Sequence, residues 1–176
     1  LEDMQTISAA THEAGAKLIA GVVPISLGLV NSPAEYDADI VVGDGQALGI
    51  PLSFGGPGFG FMATTKANMR KLPGRIVGQT TDKDGKRAFV LTLQAREQHI
   101  RREKASSNIC SNQAWCALRG AMYMSISGKE GFKEVAAHCY ANAHYLADCL
   151  AAIGFTRVHD GEFYHEFATT CPVDYK

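Results

Sequence analysis

The chain has 176 residues, 46% of them hydrophobic and 20% charged, with 17 Lys and Arg against 18 Asp and Glu. That composition fits a globular chain with at least one real core, and its net charge of -1 gives no electrostatic reason to expect a nucleic-acid or acidic-membrane partner. Aliphatic and aromatic residues spread along the whole length exclude disorder, and the longest apolar runs, such as residues 18–30, are broken by Gly and Pro short of a membrane span.

In chain order, residues 1–15 read as the end of a helix, with Met4, Ile7, Ala10, Thr11 and Ala14 on one stripe. Residues 17–23 form a short apolar run stopped by Pro24, and residues 39–43 form a second. Runs of this length suit strands of a mostly parallel sheet covered on both faces. A third candidate strand, 58–63, precedes a helix of about two turns over 64–72 that Pro73 and Gly74 end. Residues 75–80 and 87–92 flank the turn sequence Asp82-Lys83-Asp84-Gly85 and predict a hairpin. A calcium loop is not expected there, because Leu93 stands where the closing acidic residue would be.

From Ser111 the period becomes helical, with Ala114, Trp115, Leu118, Ala121 and Met122 on one stripe and Gly128 as the stop. A longer helix follows over 130–153, carrying Phe132, Val135, Ala136, Cys139, Ala143, Leu146 and Leu150 on one face, and Gly154 ends it. Residues 155–158 and 162–170 then read as two strands around Asp160-Gly161. The shift from a Gly-rich α/β composition to a helix and antiparallel strands predicts a boundary near residue 129, with a smaller α+β domain beginning there and left incomplete. Both ends look cut, so the chain is expected to be a piece of a longer protein. Its five cysteines are expected to be reduced thiols, with no C-x-x-C pair and no metal site. His138, His144, His159 and His165 show no ligand spacing and are expected to face solvent or to cap.

Two motifs could carry function. Residues 43–60 are dense in glycine, and Gly55-Gly56-Pro57-Gly58 could serve close chain packing, a subunit interface, or an anionic group held by successive N–H donors. The stretch is neither a Walker loop nor a dinucleotide fingerprint. The second motif is the polar run of residues 94–108, with Arg96, Arg101, Arg102 and Lys104 against Glu97 and Glu103, and with Ser106, Ser107 and Asn108 leading into the next helix. A self-paired solvated face and an interface or anion site both fit it. Spacing alone assembles no complete acid–base or nucleophile constellation.

Three stretches together resemble a known family: residues 36–57, from Tyr36-Asp37-Ala38-Asp39 to Gly55-Gly56-Pro57; residues 72–80, beginning Leu72-Pro73-Gly74-Arg75; and residues 89–110, from Phe89-Val90-Leu91 through Gln94-Ala95-Arg96-Glu97-Gln98-His99 to Cys110. They are similar to glycine dehydrogenase (decarboxylating), the P-protein of the glycine cleavage system, and more narrowly to its subunit 1 in the two-subunit bacterial form. The resemblance covers nearly the whole chain. It implies an α/β fold of the aminotransferase-like, fold-type I pyridoxal phosphate class, with residues 1–128 as the later part of the large domain and 129–176 as the beginning of the small C-terminal α+β domain. It also implies a bacterial, cytoplasmic enzyme complex, a heterotetramer with the catalytic subunit 2 and the lipoyl H-protein as partners.

The family's chemistry needs a lysine whose amine holds pyridoxal phosphate. In the catalytic subunit that lysine lies in a His-Lys-Thr-Phe-x-x-Pro-His-Gly-Gly-Gly-Gly-Pro-Gly stretch. Aligning on Pro51 and Gly55-Gly56-Pro57-Gly58 puts Gln46 in the lysine's place and Gly45 in the histidine's. A carboxamide nitrogen is neither basic nor nucleophilic, and the closest lysines along the chain are Lys17 and Lys66. The resemblance therefore implies a non-catalytic subunit that holds no cofactor covalently and pairs with a catalytic one, with Arg96, His99, Arg101, Arg102, Lys104, Ser106, Ser107 and Asn108 as candidate interface or active-site wall. Two alternatives remain open at this point: a self-sufficient pyridoxal phosphate enzyme using another lysine, and a non-enzymatic binding module derived from the fold.

Overall fold

A computed structural model describes residues 1–73, 76–92, 102–104 and 113–173. Helix α1 spans Met4–Glu13 and starts where the carboxylate of Asp3 accepts hydrogen bonds from the Thr6 backbone N–H (3.1 Å) and hydroxyl (2.6 Å). Its buried residue is Ser8, with Met4 packed on the core behind it, so Ile7, Ala10 and Ala14 of the expected stripe face outward.

Strand β1 (Ile19–Gly21) pairs in parallel with β2 (Ile40–Asp44), Ile19 opposite Ile40 and Gly21 opposite Val42, and β3 (Gly60–Thr64) lies on the far side of β2. All three apolar runs are thus strands of one sheet. Pro24 stops β1 and opens a short 3-10 helix, Pro24–Gly28. A second 3-10 helix, Pro33–Tyr36, begins with a capping box in which the Ser32 N–H and hydroxyl both donate to Glu35, holding that carboxyl below its usual range. Asp39 fixes the entry to β2. It accepts from the Leu18 N–H at 3.0 Å and faces Lys17 and His12, each at 2.9 Å. Those partners, His12 first, hold its carboxyl well below the ordinary carboxylate value.

Helix α2 (Ala114–Ala152) carries a break at Gly128, whose φ of +61° and ψ of -174° leave the helical region where the sequence predicts a stop. Two apolar clusters are buried. One joins Leu18, Ala20, Tyr36 and Ala38 beside β1; the other joins Ile25, Leu48, Ala136 and Tyr164, with Phe59, Tyr123, Phe132 and Cys139 against it. In α2 before Gly128, the expected stripe lies on the wrong side. Cys116 and Gly120 are buried, whereas Trp115, Leu118, Ala121 and Met122 are exposed. The physical reason is close approach: a Cβ on Gly120 would stand 2.7 Å from Cζ of Phe59, so only the smallest residue lets that ring reach the helix.

The two strands expected over 155–170 reduce to one antiparallel bridge, Arg157 opposite Thr169, supported by Val158 N–H to Ala168 O and Thr170 N–H to Thr156 O. Phe163 and Tyr164 leave the ladder to pack on α2. The Tyr164 hydroxyl donates to Ala136 O at 3.1 Å, and burial raises its pKa to about 12, with Cys139 adding to the shift.

Residues 64–114 form a compact unit of their own, apart from the unit of 1–63 and 115–176. In it the expected helix over 64–72 is a 3-10 helix, Lys66–Lys71. Its buried Asn68 bonds back to the Thr65 hydroxyl and Pro73 follows, so the segment is too short to settle into α geometry. The hairpin forms as predicted, β4 (Ile76–Thr81) antiparallel to β5 (Arg87–Thr92). Asp82 organises its turn by accepting from the Asp84 and Lys86 N–H groups, each at 2.9 Å. The division at 128/129, with residues 1–128 in a large domain and 129–176 beginning a small one, is proposed for the longer protein.

Candidate functional site

The site is built where β2 ends. Its last residue, Asp44, accepts the Gln46 N–H at 2.7 Å, and Gly45 N–H reaches across to Phe59 O at 2.7 Å. The Gln46 carboxamide donates to Ile50 O at 2.5 Å while Ile50 N–H returns to Gln46 O at 3.1 Å. That side chain therefore works as a brace inside its own turn, with one of its two amide N–H groups given to Ile50 O. Gly45 is buried, and a Cβ there would run into the Phe59 ring. Phe59 sits between Gly45 and Gly120, filling the space a side chain at position 45 would need.

The glycine loop folds over the same place. Gly55 and Gly56 have φ of +106° and +150°, and both donate their N–H to Leu52 O, at 2.9 and 3.1 Å. Turned inward in this way, they do not form a cradle of free donors for an anion. A Cβ on Gly58 would lie 3.8 Å from Asp44 Oδ1 and 3.9 Å from Gln46 Cβ, so the fold brings the Gln46 turn and the Gly55–Gly58 loop into one cleft. The cleft, about 700 Å³, is completed by Val22, Pro24, Ala47 and Leu52 and, from the other end of the chain, by His165 and Glu166. Asp44 and Glu166 give it an acidic lining, and no Lys or Arg lines it among the described residues.

Of the polar run, Arg102 and Lys104 lie in a short 3-10 helix, Arg102–Lys104, and are exposed. Arg96, His99, Arg101, Ser106, Ser107 and Asn108 lie outside the described residues. Sequence reasoning missed Phe59, His165 and Glu166. Only the spacing of Phe59 from Gly45 and Gly120 in three dimensions reveals the first, and the last two come to the cleft through the tail's departure from its ladder. It also misplaced His144, which does not cap or face solvent: its ring stacks between Tyr140 (3.9 Å) and Phe163 (4.0 Å), with Nε2 at 3.1 Å from Phe163 O. His165 likewise is half-buried, edge-on to Tyr164. No group of three or more His, Cys, Asp or Glu able to hold a metal occurs among the described residues, and no helix among them is long and apolar enough to cross a membrane.

The family described as the glycine cleavage system P-protein matches residues 1–173. A protein of Geotalea daltonii described as "Probable glycine dehydrogenase (decarboxylating) subunit 1" is 57% identical over 175 residues, which are 99% of this chain and 40% of that one. One from Moorella thermoacetica with the same description is 58% identical over 168 residues, 95% of this chain and 38% of its own length. Among solved structures, a glycine decarboxylase (P-protein) of the glycine cleavage system, in inhibitor-bound form, superposes with a TM-score of 0.93 at 50% identity, covering 99% of this chain and 40% of that one. The chain thus spans about 40% of the length of these relatives. Its α/β fold is that of the fold-type I pyridoxal phosphate class, and by sequence and structure together the chain belongs to the glycine cleavage system P-protein family.

Proposed function

We propose that this chain is part of the lysine-less subunit of a glycine dehydrogenase (decarboxylating), a subunit that supports a catalytic partner in releasing carbon dioxide from glycine and passing the aminomethyl group to the lipoyl arm of the H-protein. The observation that carries this reading is the Gln46 turn. An amide stands in the lysine's place and is hydrogen-bonded to Ile50 O, and Phe59 occupies the room next to Gly45 where the family's histidine would stand.

The residues present do not fit pyridoxal phosphate held on this chain. No lysine lines the cleft among the described residues, its charged groups are carboxylates that would repel a phosphate, and the Gly55 and Gly56 N–H groups are engaged with Leu52 O. The cofactor belongs, on this reading, to subunit 2, in a cytoplasmic bacterial complex. The polar run containing Arg96, Arg101 and Arg102 is the proposed wall toward that subunit.

The test is made on the full-length chain. Alone with pyridoxal phosphate it should give no yellow, borohydride-reducible adduct, and with the catalytic subunit it should support glycine–bicarbonate exchange. A stable adduct on this chain without the partner overturns the reading. Gln46→Lys alone should yield no glycine decarboxylation, because the new amine would still lack the neighbouring imidazole, and Phe59 leaves no room to supply it.

A further inference from the structure

Three glycines of the Gln46 turn each face an aromatic ring, and they do so for different reasons. A Cβ on Gly43 would stand 2.5 Å from the Val22 carbonyl oxygen as well as from Cζ of Phe61, so the backbone itself demands glycine there. Gly49 has a φ of +79°, which favours glycine whatever the Tyr123 ring beside it requires. Gly45 is different. Its φ lies outside the left-handed region, and the three atoms nearest a Cβ there, Cζ, Cε1 and Cε2, all belong to the Phe59 ring.

That ring has no free side to swing toward. Its tip is met from α2 by Gly120, where a Cβ would stand 2.7 Å from Cζ, and its side chain packs on the cluster of Ile25, Leu48, Ala136 and Tyr164. The Gly45 N–H bond to Phe59 O, at 2.7 Å, holds the two residues against each other. One ring-sized space therefore lies between the Gln46 turn and α2, and it is filled from position 59. We propose that Phe59 is what bars a side chain, and with it the family's histidine, from position 45, so that a histidine–lysine pair at 45 and 46 requires residue 59 to shrink before residue 45 can grow. This rests on the subunit reading above, which sets Gly45 in the histidine's place. The chain is then closed to that chemistry twice, by the Gln46 amide and by a ring that enters from a separate segment.

The experiment is a cycle of substitutions on the full-length chain, read as melting temperature by calorimetry. Gly45→Ala should lower the midpoint by several degrees in the native background, because its methyl meets the ring tip. Phe59→Leu removes that tip at a cost of its own, and in the Phe59→Leu chain Gly45→Ala should cost less than about 1 °C. Phe59→Ala opens the whole space, and benzene, used as a probe, should raise its midpoint by a few degrees while leaving the native chain unmoved. Gly45→His added to Phe59→Ala should abolish that response, because the imidazole refills the space from the other side. If Phe59→Ala does not fold, the alanine–leucine cycle alone decides. An equal cost of Gly45→Ala in both backgrounds, or a benzene response that survives Gly45→His, overturns the proposal and leaves the subunit reading standing. A pyridoxal phosphate adduct on the native chain without its partner overturns the subunit reading, whereas the cycle still measures what keeps position 45 bare.

Discussion

The two halves of α2 carry apolar stripes of equal clarity in the sequence, and the fold uses them in opposite ways. After Gly128, most of the stripe turns inward: Phe132, Ala136 and Cys139 close on Ile25, Leu48 and Tyr164, and Ala136 is 0% exposed, while Leu146 stays outside at 51%. Before Gly128, the expected stripe turns outward, with Trp115 at 75% exposure and Ile126 beyond it at 87%; the buried line is made of Cys116 and Gly120, and Tyr123 from outside the stripe packs on the inner cluster. The contrast shows what a helical period does and does not encode. It locates apolar surface, but the side that meets the rest of the unit can be chosen by small residues that admit a neighbour's ring, as Gly120 admits Phe59.

The strongest way to break this comparison is to hollow the inward half. Ile25 is buried at 5% exposure in the cluster with Ala136 and Tyr164, so Ile25→Ala removes packed methylenes and leaves a cavity. The expected loss is about 2–5 kcal/mol, read from the urea midpoint at constant m-value. A loss below about 1 kcal/mol would mean that this cluster is loosely packed and that the two halves differ less than their burial indicates.

How much of this was legible beforehand follows the same division. Strand runs ending at Pro24 and in the Gly43-Asp44-Gly45 turn, the Asp82–Gly85 hairpin and the Gly128 break were readable because each is set by local chemistry: a missing N–H, an Asx turn, a left-handed φ. So was the amide at position 46, since its identity is a property of the sequence itself. The inward line of Cys116 and Gly120 was not legible, and neither was the service of Phe59 to Gly45 and Gly120 at once, because both depend on contacts between residues far apart in the chain. The tail misled for a related reason. Its alternation reads as strand, yet Tyr164 gains a buried hydrogen bond to Ala136 O by abandoning the ladder.

That hydrogen bond sharpens the comparison at a smaller scale. Tyr164→Phe keeps the ring and deletes the hydroxyl and its bond to Ala136 O, at an expected cost of about 0.5–1.5 kcal/mol near neutral pH. The sign with pH can be worked out. Burial raises the Tyr164 pKa from 10.0 to about 12, so the folded state favours the neutral phenol. Its contribution is complete below pH 10.0 and is lost as pH rises through about 12. Stability measured across that window should fall more steeply in the wild type than in Tyr164→Phe. Parallel curves would show that the tyrosine is not held as the structure has it.

The smallest effect is expected on the outward half. Trp115 is the chain's one tryptophan, which makes it a built-in reporter: its emission should be that of a hydrated indole and should quench readily with iodide. Trp115→Ser is a fair probe because the two residues have similar helix propensities, so what changes is surface and not the backbone's preference. With the ring 75% exposed, the substitution should move the stability of this 176-residue chain by less than about 0.5 kcal/mol, followed by far-UV circular dichroism in urea. A shielded, blue emission together with a larger loss would place Trp115 in an interior, and the two halves of α2 would then bury their stripes alike.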